Sequence, residues 1–413
     1  MYPTLYHALL DLTGLNWPWL KMMNSFGFFV AVAFVTANYL LLKELKRKEQ
    51  AGLFEFTSKT MIVGKPANLL SYISNGLLGF VIGYKFVYIF LNSTKVFADG
   101  GLPQKYLLSA EGNWIGGIIA AGLFVFLKWR ESEKEKLPNP EEKTITIKPS
   151  DHIGSITFIA AIFGFLGAKL FAGLENPNHV LEFFSEPTVE GFLGGLAIYG
   201  GLIGGGLALI IYCWKKKISR LHFFDSLAPG VMLAYGIGRI GCHVSGDGDW
   251  GIANSKPCPK WIPEWLWSYN YPNNVNVVQH FDEKGGYTGK AITQEMIEAG
   301  VPSFPDYGTY LDPGVYPTPL YELAMASFIF FILWKLKHKI NLAGGIIATY
   351  FILNGLERFF IEKIRVNDTL FNLGSYGVTQ AELIAVIFMV FGGLLLFLLK
   401  KGIIPAPKQP IQT

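Results

Sequence analysis

The chain has 413 residues, of which 51% are hydrophobic and only 16% are charged, and its formal net charge is +4. Soluble domains carry about 25% charged residues, so this chain has too few charges to cover the surface of a soluble globular protein. Intrinsic disorder is excluded as well, because it requires low hydrophobicity and high charge. The small net charge gives no reason to expect a nucleic-acid partner. The composition therefore favours an integral membrane protein.

Apolar stretches long enough to cross a bilayer recur along the whole chain. They lie at 25–43, 69–92, 113–129, 152–172, 191–214, 225–245, 319–336, 343–362 and 379–399. These stretches predict an all-α polytopic membrane protein with about nine transmembrane helices and a small external head domain.

Lysine and arginine cluster in alternate loops between these stretches, and such loops are typically cytoplasmic. The cluster residues are Lys43, Lys46, Arg47, Lys48, Lys128, Arg130, Lys134, Lys136, Lys215, Lys216, Lys217, Arg220, Lys335, Lys337, Lys339, Lys400 and Lys401. If nine spans alternate, all these loops fall on one side. The N-terminus is then predicted outside and the C-terminus in the cytoplasm.

This pattern divides the chain into five parts. They are an external interfacial arm at 1–24, N-terminal spans with a cytoplasmic linker at 25–151, further spans at 152–245, the external head at 246–318, and C-terminal spans at 319–413. The expected head is rich in aromatic residues, which favour the membrane–water interface. These are Trp261, Trp265, Trp267, Tyr269 and Tyr271.

The three cysteines, Cys213, Cys242 and Cys258, show neither a CxxC pair nor zinc-type spacing, which predicts isolated thiols. Asp247 and Asp249 lie in a glycine-rich turn but lack the later glutamate of a calcium loop. We therefore expect neither a metal ion nor a cofactor.

The densest motif, YGIGRIGCHVSGDGDWG, covers residues 235–251. Its GxGxxG pattern would need a βαβ unit to bind a dinucleotide, and here it closes a membrane span. What remains is Arg239 among glycines at the end of a span. His243 follows four residues later, on the same helix face.

A second motif, NGLERFFIEKIR, covers residues 354–365 and spaces Arg358, Glu362 and Arg365 on one predicted helix face. An arginine inside the membrane costs on the order of 3 kcal/mol on insertion scales and by default marks a functional site. This argument applies to Arg239 and Arg358. Arg365 lies past the span and is expected to reach the interface instead.

Two further motifs lie where spans meet the same predicted outer side. One is YPTPLYE at 316–322, with Tyr321 and Glu322, and the other is the glycine-rich run at 194–206, with Tyr199, Gly200 and Gly201. The glycine run is equally compatible with close helix packing through small residues. Two arginines in an apolar outer-leaflet cavity suit a phosphate, because the guanidinium fork matches phosphate oxygens. A phospholipid headgroup is the phosphate available there.

Together the four motifs resemble the prolipoprotein diacylglyceryl transferases of the bacterial inner membrane. The resemblance covers about residues 152–400, with a weaker echo at Phe26-Gly27. It implies transfer of a diacylglyceryl group from phosphatidylglycerol to the lipobox cysteine thiol of a prolipoprotein, with glycerol phosphate released. The implied partners are phosphatidylglycerol, prolipoprotein signal peptides and the lipid bilayer.

The resemblance also implies roles for individual residues. Arg239, Arg358 and Glu362 match catalytic positions, with Arg239 and Arg358 placed to stabilise the leaving phosphate. The implied phospholipid-binding residues are Arg239, Arg358, Tyr199, Gly200, Gly201, Ser245, Gly251, Tyr321 and Glu322.

The chain departs from the family pattern on the side that would activate the thiol. The family usually has His at the place of Tyr199, Asn at the places of Cys242 and Ser245, and Glu at the place of Asp247, in a loop one residue shorter. The general base is therefore open, and His243 and Asp247 are the candidates, since a thiol is weak until it is deprotonated.

Two other functions fit parts of the sequence. A polytopic transporter would place ionisable residues such as Lys85 and Lys169 near the bilayer midplane. A non-catalytic homologue would bind lipid or lipoprotein without transfer, as the altered positions would allow.

Overall fold

The computed structural model describes residues 1–97, 104–175, 197–276, 281–282, 284–374 and 376–405. These residues are mostly helical. Six of their helices are long and apolar enough to cross a membrane, which makes the protein a polytopic all-α membrane protein. Residues 191–196, part of the fifth expected span, lie outside the described ranges.

The elements follow in chain order. The helices are α1 Leu5–Thr13, α2 Ser25–Gln50, α3 Leu69–Leu91, α4 Ser93–Val96, α5 Lys105–Leu108, α6 Trp114–Glu135, α7 Ile153–Glu175, α8 Ile198–Lys215, α9 Arg220–Ser245, α10 Glu264–Trp267, α11 Gln294–Glu298, α12 Thr318–Leu336, α13 Gly345–Ile361 and α14 Gln380–Lys400. The strands are β1 Thr57–Val63, β2 Glu141–Ile147, β3 Phe281–Asp282, β4 Tyr287–Ala291, β5 Thr309–Asp312, β6 Thr369–Leu373 and β7 Tyr376–Thr379.

Every expected span coincides at least in part with one of these helices. The six that are long and apolar enough are α2, α3, α7, α8, α12 and α14. The other three expected spans correspond to α6, α9 and α13. The count of nine spans stays a prediction for these three.

The chain forms two compact units. One comprises residues 56–212, in which α3 packs against α6 and β1 pairs antiparallel with β2. The two helices approach so closely that a Cβ on Gly83 would collide with the backbone carbonyl of Gly116. The Lys85 ammonium donates to the carbonyl oxygens of Glu111, at 2.8 Å, and Ser109. Lys85 therefore fastens the connection that leads into α6.

The other unit comprises residues 1–55 and 213–413. Its helix α9 packs against α2, α12 and α13, and α13 packs against α14. The core of this bundle is apolar and consists of Leu40, Ala228, Met232, Ala326, Ile329, Phe330, Leu333, Ile346 and Tyr350. Helix α13 begins beside α9, because the backbone N–H groups of Gly344 and Ile347 donate to the Asp225 carboxylate at 2.7 and 2.9 Å.

The described part of residues 246–318 contains a small buried cluster, against which Met1 and Val366 also pack. Strands β3, β4 and β5 form an antiparallel sheet, and the core residues are Trp250, Tyr271, Tyr287, Leu311 and Val315. The N-terminal arm packs nearby, since the ring of His7 contacts that of Phe304 in a tilted arrangement, with ring centroids 4.4 Å apart. Tyr271, which was expected at the interface, is fully buried.

Close packing of α13 on α14 predicts a difference between two glycines. A Cβ on Gly355 would lie 2.6 Å from the Ala385 carbonyl oxygen, whereas a Cβ on Gly393 meets nothing within 4 Å. We expect Gly355→Ala to lower the thermal unfolding midpoint in detergent, by an overpacking cost of about 1–3 kcal/mol. Gly393→Ala, the matched control, should leave the midpoint unchanged or raise it through better helix propensity. Equal midpoints for the two variants would contradict the packing.

Candidate active site

Arg239 is buried one and a half turns before the end of α9 and lies between two carboxylates. Its Nε bonds to Glu322 Oε2, and its Nη1 bonds to Asp249 Oδ2. Glu322 comes from the first turns of α12, and Asp249 comes from the loop that follows α9. Burying a charge in an apolar protein is costly unless the charge is paired. The arginine therefore ties α9, α12 and this loop together.

Arg365 completes this arrangement from the other side. Its Nη2 lies 2.5 Å from Asp249 Oδ1, and its Nη1 lies 2.7 Å from Glu322 Oε1. Each carboxylate thus bridges the same two guanidinium groups, and we call Arg239, Asp249, Arg365 and Glu322 the charge square. The expectation that Arg365 reaches the interface is wrong, because its side chain is only 8% exposed. Its charged partners lie inward.

Arg365 points inward because the helix ends early. Helix α13 stops at Ile361, a 3₁₀ turn follows over Glu362–Ile364, and Arg365 itself is extended. A helix continued to residue 365 would have kept Arg358, Glu362 and Arg365 on one face. The break instead directs Arg365 toward Asp249.

Close backbone contact brings the Asp249 loop against this turn. The N–H of Gly251 donates to the Tyr316 carbonyl oxygen at 2.9 Å, and the N–H of Ile252 donates to the Ile364 carbonyl oxygen at 2.9 Å. A Cβ at position 251 would collide with that same Ile364 carbonyl. Gly251 therefore serves the site by allowing two backbones to meet.

Two more glycines shape the loop itself. Gly246 caps α9 at φ +66°, and Gly248 has φ +102°, both in the region that favours glycine. Between them the chain reverses direction. The reversal returns Asp249 to Arg239, ten residues earlier.

Tyr235 extends the cluster along α9. Its hydroxyl donates to Glu322 Oε2 at 2.5 Å and lies 3.4 Å from Glu357 Oε1. The guanidinium carbon of Arg239 lies 5.1 Å from the centre of the tyrosine ring, within cation–π range. Tyr235, Glu357, Asp249 and Arg365 are site residues that the sequence analysis missed. The sequence does indicate Tyr235, because it lies one helical turn before Arg239 and so on the same helix face.

Arg358 and Glu362 form a neighbouring ion pair, with Arg358 Nη2 3.0 Å from Glu362 Oε2. The other carboxylate oxygen of Glu362 accepts hydrogen bonds from Asn367 at 2.6 Å and from Thr379 at 2.8 Å. Glu362 is buried and Arg358 is partly exposed. These contacts hold the pair at the end of α13, beside the start of α14.

The remaining candidates of this unit bond within the protein. His243 Nδ1 lies 3.1 Å from the Tyr271 hydroxyl, and the Ser245 hydroxyl donates to the Gly241 carbonyl oxygen at 2.8 Å. The Tyr321 hydroxyl donates to the Leu266 carbonyl oxygen at 2.6 Å. All three contacts fix the end of α9 or the start of α12. A role toward a ligand stays a prediction for each.

Tyr199, Gly200 and Gly201 belong to the other compact unit, residues 56–212. There Gly200 packs against Gly167, since a Cβ on either would collide with the other's carbonyl oxygen. Helix packing through small residues is therefore what this run contributes within its own unit. Its placement at the phosphate site stays a prediction.

The two aspartates of the loop have opposite electrostatic environments. Burial raises the pKa of Asp249, but the charges of Arg239 and Arg365 outweigh burial and hold the pKa well below its usual range. For Asp247, burial and the neighbouring charge of Asp249 raise the pKa of the carboxyl. The two arginines thus favour the anionic form of Asp249, whereas Asp247 is the more basic carboxylate of the two.

Cys242, Asp247 and Asp249 bring three possible metal ligands within 4.8 Å of one another. The Cys242 sulfur also lies 3.8 Å from Arg239 Nη1. A cation at this point would compete with two guanidinium groups for Asp249. The expectation that the protein uses no metal stays a prediction.

The lowered pKa of Asp249 predicts acid sensitivity. A carboxylate whose folded pKa is depressed stabilises the fold above its unfolded pKa, near 3.8, and loses this contribution as the pH falls below that value. We expect the thermal midpoint of the protein in detergent to start falling below about pH 5 and to keep falling as the pH drops through 3.8 toward the depressed folded pKa. Asp249→Asn should lower the midpoint at neutral pH, because breaking a buried ion pair costs about 3–5 kcal/mol, and should flatten the acid dependence.

Asp368→Asn is the matched control, since Asp368 is 82% exposed and pairs with Lys284 at the surface. It should leave both the midpoint and its pH dependence near those of the unaltered protein. An Asp249→Asn variant as acid-sensitive as the unaltered protein would count against the charge square.

Comparison with known proteins bears directly on this site. Residues 107–398 match the model of the family described as prolipoprotein diacylglyceryl transferase. Phosphatidylglycerol–prolipoprotein diacylglyceryl transferases of Streptococcus pyogenes serotype M5 (strain Manfredo), serotype M49 (strain NZ131) and serotype M1 are each 28% identical over 295 residues, 70% of this chain and 90% of theirs. The matched region contains Arg239, Glu322, Arg358 and Arg365. The chain belongs to the prolipoprotein diacylglyceryl transferase family.

Proposed function

We propose that this protein transfers a diacylglyceryl group from phosphatidylglycerol to the lipobox cysteine thiol of prolipoproteins and releases glycerol phosphate. The observation that carries the proposal is the buried cluster of Arg239, Arg365 and the neighbouring Arg358 at one end of membrane helices. Arginine groups of this kind suit a phosphate diester. The family to which the chain belongs performs transfer to prolipoproteins.

The proposed topology has nine spans in the bacterial inner membrane, with the N-terminus outside and the C-terminus in the cytoplasm. The span count is supported by α6, α9 and α13, which lie at the three expected spans beyond the six most apolar helices. The orientation is supported by the lysine-rich loops, which all fall on one side when nine spans alternate. In this orientation α9 and α13 run outward. The charge square and residues 246–318 then lie at the outer face.

The proposed reaction is a displacement at a glyceryl carbon. The thiolate sulfur of the prolipoprotein forms a bond to that carbon, and the bond from the carbon to a phosphate oxygen breaks. The electron pair leaves with glycerol phosphate. Arg239 and Arg358 stabilise the charge that develops on the phosphate, and such electrostatic stabilisation is usually the largest catalytic contribution.

A phosphate enters a site whose charges already balance. Arg239 and Arg365 carry two positive charges, and Asp249 and Glu322 carry two negative charges. We therefore propose that the donor phosphate replaces a carboxylate as a partner of the guanidinium groups. The fork geometry of arginine allows this exchange, because carboxylate and phosphate oxygens fit the same donors.

The remaining candidates take supporting roles in the proposal. Glu362 holds Arg358 in place, and Tyr321 and Glu322 fix the start of α12. Further contacts with the phospholipid are proposed for Tyr199, Gly200, Gly201, Ser245 and Gly251.

Asp247 and His243 are the two proposed proton acceptors for the thiol. The raised pKa of Asp247 makes it a stronger base than an ordinary aspartate. His243 is the residue type most often used as a base, and its Nδ1 already shares a hydrogen bond with Tyr271. These environments favour Asp247 as the proton acceptor for the thiol.

Removing an arginine tests the phosphate site. We expect Arg358→Ala to lower the rate of phosphatidylglycerol-dependent labelling of a lipobox peptide by about 10²–10³-fold, as for loss of one charge-stabilising donor. Arg220→Ala, an exposed arginine at the other end of α9, is the matched control and should retain activity. Both proteins should insert in the membrane to the same level. Normal labelling by Arg358→Ala would remove Arg358 from the site.

Paired substitutions distinguish the two bases. Asp247→Asn should abolish most labelling, whereas His243→Gln should retain most of it, because the glutamine amide can still meet the Tyr271 hydroxyl. The same variants are then introduced into a strain depleted of its own transferase. The opposite order of effects would assign the base to His243. Phosphatidylglycerol binding by the unaltered protein without labelling or rescue would favour the non-catalytic homologue.

A further inference from the structure

Two tryptophans of residues 246–318 lie on the surface, whereas a third is buried. Trp261 is 83% exposed and Trp265 is 54% exposed, whereas Trp250 is 2% exposed. Both belong to a short segment, residues 256–266, which we call the tryptophan loop. In membrane proteins, exposed tryptophans are enriched at the membrane–water interface.

Hydrogen bonds within the tryptophan loop and to the residues on either side of it hold its shape. The Trp267 indole N–H donates to the Lys256 carbonyl oxygen at 2.9 Å, and the Asn254 amide donates to the Trp267 carbonyl oxygen at 2.6 Å. The Ile262 N–H donates to the Pro259 carbonyl oxygen at 3.0 Å. The loop therefore presents its tryptophans without having to reorganise.

The loop lies level with the first turn of a membrane helix. The Tyr321 hydroxyl donates to the Leu266 carbonyl oxygen at 2.6 Å, and α12 begins at Thr318. One helical turn is about 5.4 Å long, so Leu266 lies beside the first turn of α12, a helix long and apolar enough to cross a membrane. This contact places the tryptophan loop next to the end of that helix.

The exposed side chains match the chemistry of a lipid interface. Trp261 and Trp265 carry the amphipathic ring that favours the headgroup layer. Lys256 and Lys260 are also exposed, and a lysine places its stem along apolar material while its ammonium reaches phosphate oxygens. The single acid, Glu264, leaves the loop with a net charge of +1 (two lysines against one glutamate).

We propose that the tryptophan loop inserts Trp261 and Trp265 into the headgroup layer of the outer leaflet and anchors residues 246–318 to the bilayer. The proposal rests on the membrane topology given under the proposed function and is independent of the transfer reaction. The tryptophan loop is connected to the charge square through the next residue, Trp267, whose ring centroid lies 5.8 Å from that of Tyr316. The Tyr316 carbonyl oxygen in turn accepts the Gly251 N–H. The loop thus sets the height of the Asp249 loop above the lipid.

Spin-label accessibility tests this insertion in the full chain. In a Cys258→Ser background, a label at Trp261→Cys is measured in vesicles of equimolar phosphatidylcholine and phosphatidylglycerol. Two reference labels set the scale: Phe328→Cys, exposed on the membrane helix α12, and Glu298→Cys, exposed on α11. We expect the label at 261 to be more accessible to oxygen and less accessible to a water-soluble nickel complex than the label at 298, with values shifted toward those at 328. A label at 261 as open to the nickel complex as that at 298 would overturn the proposal.

Native tryptophan fluorescence gives a second measurement that needs no label. Vesicles with lipids brominated near the headgroup should quench a smaller share of the emission in a Trp261→Phe/Trp265→Phe variant than in the unaltered protein. Unchanged quenching would also overturn the proposal. Neither experiment depends on activity, so an inactive protein with an inserted loop would contradict the proposed function alone.

Discussion

The structure depends on a simple electrostatic constraint: a guanidinium group buried at the end of a helix needs a negatively charged partner. Arg239 and Arg365 meet this requirement by sharing Asp249 and Glu322, so that each carboxylate bridges both arginines. The four groups come from α9, the loop after it, α12 and the residues after α13. Loss of one member leaves an uncompensated buried charge, which is far more costly than loss of a surface pair. The charge square therefore ties these elements of the bundle together.

One departure from the family pattern concerns the acid that pairs with Arg239 in the charge square. The acid that meets Arg239 is Asp249, not Asp247, which matched the family's glutamate in the sequence comparison. The turn that brings Asp249 to Arg239 uses the positive φ of Gly248. Cys242 lies beside the same contact, 3.6 Å from Asp249 Oδ2.

The sequence was sufficient to find the helices and the buried charges, because apolar runs and isolated arginines are local signals. It was insufficient for contacts that depend on where a helix ends. A helix continued past Ile361 puts Arg365 on the face of Arg358, whereas the 3₁₀ turn there redirects the chain. For Asp249 the sequence allows only the comparison with calcium loops, because no local pattern shows which way the acids of a glycine-rich turn point. Residues around Tyr199 belong to another compact unit, and order along the chain alone does not fix their distance from Arg239.

The positions of the buried charges also bear on the transporter hypothesis. Along α9, Asp225 and Arg239 are 14 residues apart, about 21 Å of helix, and Met232 between them lies in the apolar core. At the end away from Arg239, Glu44 pairs with Lys337 at 2.5 Å. Buried charge in this unit is thus concentrated at the two ends of the helices, where it fixes their register, and the middle is packed with hydrocarbon. A transporter needs ionisable groups near the midplane, whereas an enzyme that meets its lipid at one leaflet needs them at one end.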